Sequence, residues 1–458
     1  MREEAIIRTL WLSFQYIKDM KVNKTRFCPS PTGLLHLGNL RTSLFSSLIA
    51  KKDNGSFLLR IEDTDLERSK KEFSTAICND LKWMGLDWDE GPEVGGKEDS
   101  YYQSERTDLY EEFYKALLEK NLIYPCFTSV EELKIIRRNQ IASGQPPRYT
   151  GVWSDATEKE VKEELDKGNK PVYRFRIPKD STIEFKDLVK GEQSFSTDDL
   201  DDFIVRKKDN TPTFMFANAI DDSLMGVDLV LRGDDHLSNT PRQIALLESL
   251  GLSLPRYAHV SLFTGSDGAP LSKRNGSISI NDLREQGYLP IAVSNYLSRV
   301  GHTIVDNDLK THSELANEFK IDNISSSPSK FDMDQLLYWQ KKAVEELNIN
   351  ECSIWLKDSL EGLPASVNNE NFVALIKDNI NFPHEAQEYL NNLFLTPLAQ
   401  REEIINIIRS AGKEFYLQAC DAIPSEILDW SETTKNIGSI TGKKGKELFM
   451  PLRCAITG

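Results

Sequence analysis

The stretch RFCPSPTGLLHLGN, residues 26–39, sets Arg26, His36 and Asn39 among two prolines and two glycines, ahead of an apolar helical run. A glycine in such a place lets a flat or phosphorylated ligand approach the backbone. A helix N-terminus behind it offers free N–H groups and a partial positive charge. His36 and Asn39 are polar and three apart, so both can face one ligand. A second stretch, GAPLSKRNGS at 268–277, holds Ser272, Lys273 and Arg274 between glycines. A cationic loop with flexible ends suits a clamp on charge developing at a phosphate. Each stretch also has an ordinary reading: P-x-P-x-G as a turn, and the lysine loop as an exposed hairpin.

Both stretches need elements to position them. TRF ahead of the first loop reads as a short strand, RTSLFSSLIAKKDNG (41–55) as a helix with Leu44, Leu48 and Ile49 on one face, and SFLLRIED (56–63) as a second strand. Strand, loop, helix and strand in so short a span form a βαβ unit and imply a parallel sheet. Ligands of such sheets sit at the carboxyl ends of the strands, where the first loop and EDTD both fall. Residues 104–121 read as an amphipathic helix. Residues 129–144 read as a second, opened by a Ser129–Glu132 capping box and stopped at Gly144. VYRFRIP alternates as a strand, and about 104–210 reads as an insertion into the sheet domain. From about 325 onward the pattern is helical, without repeats or low-complexity segments.

The 458 residues allow two to four domains. A net charge of −15 argues against a chain that coats nucleic acid over its whole surface, while leaving room for a local basic groove. The six cysteines are scattered with no C-x-x-C pair, which reads as a cytoplasmic protein with reduced thiols. No apolar run is long enough to span a membrane. Residues 1–20, MREEAIIRTLWLSFQYIKDM, lack a secretory cleavage pattern and carry Glu3 and Glu4, which do not suit a transit peptide. Two readings stay open: an amphipathic extension packed on the body, or a start at Met20, which the nearness of the first strand favours.

Taken in order, HLGN and PLSKR resemble the two signature motifs of the class I aminoacyl-tRNA synthetases. The blocks TRFCPSPTGLLHLGNLRTSLF, FLLRIEDTDLERS, LDWDEGP, VLRGDDHLSNTPRQ, GYLPIAVSNYLSRVG and TGKKGKELFMPLRCAITG are similar to the glutamyl-tRNA synthetases of bacterial type. The resemblance covers nearly the whole chain from Thr25 on. It implies an α/β fold: a class I Rossmann-type parallel-sheet catalytic domain with an α+β insertion, followed by an all-α anticodon-binding region. In this chain the implied boundaries are 22–103 and 211–265 for the two catalytic halves and 104–210 for an acceptor-stem insertion. The signature loop and stem-contact region follow at 266–325, and the anticodon region at 326–458.

The implied activity has two steps. Glutamate and ATP give glutamyl-adenylate and pyrophosphate, normally with tRNA bound. The glutamyl group then passes to the 2′-hydroxyl of the terminal adenosine of tRNA(Glu), or of tRNA(Gln) as well in permissive members. Carried onto this chain, Arg26 and Arg232 face carboxylates, and Ser30 and Glu62 lie near the α-ammonium. Phe214, where the family often has tyrosine, and Asn218 line the amino-acid pocket, and His236 lies in the same matched block. ATP with Mg²⁺ falls to Pro29, Thr32, Gly33, His36, Gly38, Asn39, Ser272, Lys273 and Arg274, with His36 and Lys273 the catalytic pair. Two departures stand out: Asn39 for the last histidine of the first motif, and Pro270 for the first lysine of the second. Structural roles are open beside these. Glu62 and Asp63 could cap a helix, and Arg232 could pair with Asp234 or Asp235.

Some members hold zinc in the insertion, but here only Cys126 remains, with Thr128, Trp153 and Asp155 at the other positions. One thiolate cannot build a tetrahedral site, so no structural zinc is expected. Lys443, Lys444, Lys446 and Arg453 could touch tRNA phosphate or form a solvated patch. A monomer is expected, and the chain ends at Gly458, earlier than is usual in the family. Glutaminyl-tRNA synthetases share the fold, but they usually carry an acidic residue where Ser30 stands and a largely β-barrel anticodon domain. A tRNA-modifying relative lacks the anticodon domain. A catalytically inactive, tRNA-binding paralogue is the alternative that Asn39 and Pro270 would favour.

Overall fold

The computed structural model describes residues 21–265, 268, 269, 271, 278–395, 402–424 and 429–457. The readings placed on residues 1–20, Pro270, Ser272, Lys273 and Arg274 therefore lie outside the described residues. Two compact units divide the chain: residues up to Glu285 with Pro290–Trp339, and Gln286–Leu289 with the residues from Gln340 on.

Among the described residues of the first unit, nine strands form the two larger sheets, beside a small parallel pair of Phe263–Thr264 with Ser329–Lys330. The nine are β1 (Lys24–Phe27), β2 (Ser56–Leu59), β3 (Ile123–Cys126), β4 (Val172–Phe175), β5 (Thr182–Asp187), β6 (Gly191–Ser196), β7 (Phe203–Arg206), β8 (Leu229–Gly233) and β9 (Arg256–Val260). The larger sheet runs β2-β1-β8-β9-β5-β6. Its pairs β1/β2, β1/β8, β8/β9 and β5/β9 are parallel, so the expected parallel sheet is present. The hairpin β5–β6 comes from the stretch read as an insertion, yet it joins this sheet at its edge, through Asp187 opposite Tyr257. Strands β3-β4-β7 form the separate sheet.

The first helix spans Leu37–Asp53 and begins inside HLGN, four residues earlier than its apolar pattern suggests. His36 is thus the N-cap, and Gly38 and Asn39 sit in the first turn. Leu40, Leu44 and Leu48 recur at helical spacing and are buried, which holds this face on the sheet. The helix stops at Asn54, whose φ of 55° turns the chain back. Gly55 follows because a Cβ there would collide with the backbone of Val22 and Asn23. The second strand is shorter than its apolar run, since only Ser56–Leu59 keeps the ladder. Beyond it, Arg60 donates to Phe27 O (3.0 Å) and Glu62 to Pro29 O (3.0 Å), which keeps the charged end alongside the first loop.

The helix read at 104–121 is Thr107–Glu119, preceded by a 3₁₀ turn at Gln103–Glu105. Tyr114 stacks on Phe216 at 4.5 Å between ring centroids. Tyr110 Oη donates to Asp221 Oδ2 (2.6 Å), and Gln103 and Arg106 reach the same carboxylate, each at 2.9 Å. These contacts fix the helix Phe214–Leu224, which carries Asn218 and Asp222. The helix Val130–Ala142 has the Ser129–Glu132 capping box that the sequence indicates.

The second unit's described residues from Gln340 on form helices and turns. Its apolar clusters centre on Leu356, Phe372 and Leu390, and on Phe415, Ile437 and Leu448.

Candidate active site

Parallel strands place their carboxyl ends on one edge, and side chains there converge. Arg26 comes from the end of β1, Glu62 from the extension of β2, Arg232 from β8, and Phe214 and Asn218 from one helix. All five line a cavity of about 630 Å³. Pro29, Ser30, Thr32, His36, Gly38, Asn39 and His236 line it too. Gly33 does not, and Leu271 is the last described residue on the approach to Ser272. A Cβ at Gly38 would meet only Phe263 Cβ at 3.9 Å, so the protein's own packing does not demand glycine there.

The floor of the cavity is a buried network of charge. Asp222 accepts from Arg26 Nε (3.2 Å) and from Arg60 Nη2 (2.8 Å), and Arg60 Nη2 also reaches Glu62 Oε1 (2.9 Å). Arg26 also donates from Nη2 to Asp222 Oδ2 (3.3 Å) and from Nη1 to Leu231 O (3.1 Å), leaving two of its five N–H groups outside these bonds. Burial would push the Asp222 carboxyl up, but Arg26 and Arg60 outweigh it and hold the pKa below the ordinary value. For Glu62 burial prevails over Arg60 and Asn218, and its pKa is raised. Asn218 donates to Glu62 Oε1 (2.8 Å), while Glu62 Oε2 is buried without a hydrogen-bond partner among the described residues.

Arg232 is 5% exposed and has no carboxylate partner among the described residues. It donates from Nε to His259 Nε2 (3.1 Å), from Nη2 to Thr240 Oγ1 (2.9 Å) and Gln243 Oε1 (2.7 Å), and from Nη1 to Asn218 Oδ1 (3.5 Å). Burial lowers its pKa. The pairing with Asp234 or Asp235 considered from sequence is not made. Asp234 takes Lys190 (2.8 Å) instead, and Asp235 lies 3.7 Å from His236. The capping role considered for the two acids falls to Asp63 alone, which accepts from the Ser104 N–H (2.8 Å) and hydroxyl (2.6 Å).

His236 packs against Phe214 at 5.1 Å, and burial with the nearby Arg232 brings its pKa down to about 4, so it is neutral at pH 7. Among the described residues the helix Leu37–Asp53 has no side-chain cap, and its first turn carries no acid, so its N-terminal N–H groups can serve a ligand in the cavity that Gly38 and Asn39 line. Arg41, 3% exposed, also lines the cavity; it donates to Ser261 O and lies 5.4 Å from the Phe263 ring centroid.

Asp222, Arg60, Arg41, Gln243 and His259 were not singled out from sequence. Two signals were available. Arg60 is two residues from Glu62 on an extended chain and so shares its face, and Asp222 is four from Asn218 on a helix. Cys126 is fully buried against Tyr149 Oη (3.2 Å), Thr128 Oγ1 (3.5 Å) and Arg174 Nε (3.4 Å). Burial raises its pKa, but these bonds outweigh burial and lower it overall. Among the described residues no group of three or more His, Cys, Asp or Glu side chains is placed to hold a metal ion.

A family profile described as tRNA synthetases class I (E and Q), catalytic domain, matches residues 21–338. Glutamate–tRNA ligase 2 of Nitrosococcus oceani is 46% identical over 435 residues, covering 95% of this chain and 92% of that protein. Glutamate–tRNA ligase 1 of Halorhodospira halophila is 47% identical over 435 residues, covering 95% and 91%. The crystal structure of a glutamate tRNA ligase from Elizabethkingia meningosepticum, in complex with its amino acid, superposes with a TM-score of 0.84. It has 29% identity and covers 95% of this chain and 93% of that one.

Proposed function

The chain belongs to the class I tRNA synthetases of the E and Q branch, and from that premise we propose that it is a glutamate–tRNA ligase that uses its cavity to activate L-glutamate with ATP. The observation that carries this reading is the charge arrangement of the cavity. A buried guanidinium, Arg232, has no carboxylate of its own among the described residues, and a buried carboxylate oxygen on Glu62 has no donor. A dicarboxylic amino acid supplies both missing partners, a carboxylate and an ammonium. Arg26, held by Asp222, adds its two remaining N–H groups for the other carboxylate. Ser30, Phe214, Asn218 and His236 complete the wall. A site built to pair buried charges rejects analogues that lack them by ~10⁴-fold or more.

In the first step a carboxylate oxygen of glutamate attacks the α-phosphorus of ATP. The bond to the β-phosphate bridging oxygen breaks, and pyrophosphate leaves. Mg²⁺ arrives on the nucleotide as part of the substrate. The uncapped helix at His36, with Gly38 and Asn39 in its first turn, offers N–H groups to phosphate. Pro29, Thr32, Ser272 and Arg274 are assigned to the rest of the nucleotide, and Lys273 to the charge of the leaving pyrophosphate; Gly33, outside the cavity wall, is left to shape the loop. No side chain forms a covalent bond; the contribution is positioning and electrostatics. In the second step the 2′-hydroxyl of the terminal tRNA adenosine attacks the activated carbonyl and AMP leaves.

Residues 104–210 are assigned to the tRNA acceptor end, 266–325 to its stem and 326–458 to the anticodon. Supporting the last, a cavity of about 570 Å³ in the second unit is lined by Lys435, Lys443 and Lys444 with Phe449. We assign the chain to the cytoplasm as a monomer; among the described residues no helix is long and apolar enough to cross a membrane.

ATP–pyrophosphate exchange with glutamate tests the reading. Exchange is expected with tRNA present and lost in Lys273→Ala. Exchange that is absent with tRNA, or unchanged in that variant, would refute it. Parallel charging of tRNA(Glu) and tRNA(Gln) transcripts separates a discriminating enzyme from a permissive one.

A further inference from the structure

Behind the cavity, outside the wall that touches substrate, lies a buried pair. His259 Nδ1 is 2.6 Å from Asp187 Oδ2, and both side chains are fully buried. Asp187 sits at the end of β5, on the hairpin that joins the sheet edge, and also accepts the backbone N–H groups of Val189 (2.9 Å) and Lys190 (2.7 Å). An ionised carboxylate only accepts, so the proton of a neutral imidazole must sit on Nδ1. His259 Nε2 is then a bare acceptor, and it faces Arg232 Nε at 3.1 Å and the Thr240 hydroxyl at 3.0 Å. In the other tautomer Nε2–H would confront Arg232 N–H, donor against donor.

Resting on the functional reading above, we propose that Asp187 and His259 are positioning residues for glutamate binding: they lock Arg232 in place through a neutral acceptor. The choice of acceptor matters. Arg26 is held by the Asp222 carboxylate, which compensates its charge. Arg232 is held by His259, Thr240, Gln243 and Asn218, which fix the guanidinium plane and leave its charge for the substrate carboxylate. The edge hairpin thereby sets the amino-acid site through one histidine.

Three variants of the full chain, Asp187→Asn, His259→Leu and His259→Gln, test this in aminoacylation of tRNA(Glu), with thermal unfolding recorded for each. Asparagine can present its amide N–H to Nδ1 and drive the proton to Nε2. Leucine removes the acceptor, and glutamine restores an amide oxygen near the Nε2 position. The first two variants are expected to raise the glutamate KM about 10-fold or more, the scale of one hydrogen bond to a charged group. The ATP KM should stay unchanged, and His259→Gln should recover most of the loss. A merely structural role would lower kcat through a smaller active fraction, leave the glutamate KM alone and show no rescue; that result overturns the proposal. Histidine-labelled ¹⁵N spectra of the parent test it without any variant: His259 protonated on Nδ1 supports it, and Nε2 protonation overturns it. A parent that charges no tRNA overturns the functional reading and this proposal together. A charging parent whose variants keep its glutamate KM overturns this proposal alone.

Discussion

Asp222 holds the two arginines beneath the cavity, and its removal has a calculable effect. Its side chain is 4% exposed and bridges Arg26 (3.2 Å) and Arg60 (2.8 Å). In Asp222→Ala, Arg60 keeps Glu62 at 2.9 Å, but among the described residues Arg26 keeps only the Leu231 carbonyl. Breaking a buried pair by deleting one partner costs about 3–5 kcal/mol, because a buried charge is left uncompensated. With an m-value of about 3 kcal/mol/M, the urea midpoint of the first unit should fall by about 1 M or more. Asp222→Asn, which keeps an acceptor oxygen, should fall less. The aspartate's folded pKa is depressed, so its contribution is complete above the unfolded value of about 3.9 and is lost as pH falls through the folded value. The gap between parent and variant should therefore be wide at pH 7 and narrow in acid. A midpoint shift below about 0.3 M at pH 7, near 1 kcal/mol, would refute the pairing argument.

Three further outcomes are expected. Burial brings the His302 pKa down to about 4 where the ring stacks on Phe319 at 4.3 Å; the unfolded state then binds the extra proton as pH drops below about 6.5, and stability should fall by about 2 kcal/mol by pH 5, a loss that His302→Asn removes in urea titrations at both pH values. Gly55→Ala should cost about 1–3 kcal/mol in the same titration, because the new Cβ meets the Val22 and Asn23 backbone. Lys273→Ala should lower kcat for pyrophosphate exchange about 10²–10³-fold while the glutamate KM stays near the parent's.

The parallel sheet was legible because apolar strands alternate with a helix whose Leu44, Leu48 and Ile49 share one face, and all three are buried. The start of that helix was not. Gly38 is a poor helix former, and the ladder of hydrogen bonds from Leu37 overrides that preference. The hairpin β5–β6 escaped because joining a parallel sheet from an antiparallel hairpin depends on one register pair, Asp187 with Tyr257, which leaves no periodic trace. Arg26, Glu62 and Arg232 were picked out by resemblance, and the cavity brings them together. The groups that tune them, Asp222, His259 and Asp187, act through contacts between residues far apart in the chain, such as Arg26 with Asp222 and His259 with Asp187. Such contacts exist only once the sheet has formed.

The most direct test is aminoacylation by the purified protein, with ATP, Mg²⁺ and a tRNA(Glu) transcript, offered labelled glutamate in one reaction and labelled glutamine in another. The arrangement of Arg232, Arg26 and Glu62 predicts that glutamate is esterified to the tRNA and glutamine is not. Charging with glutamine, or with neither amino acid, would contradict the account.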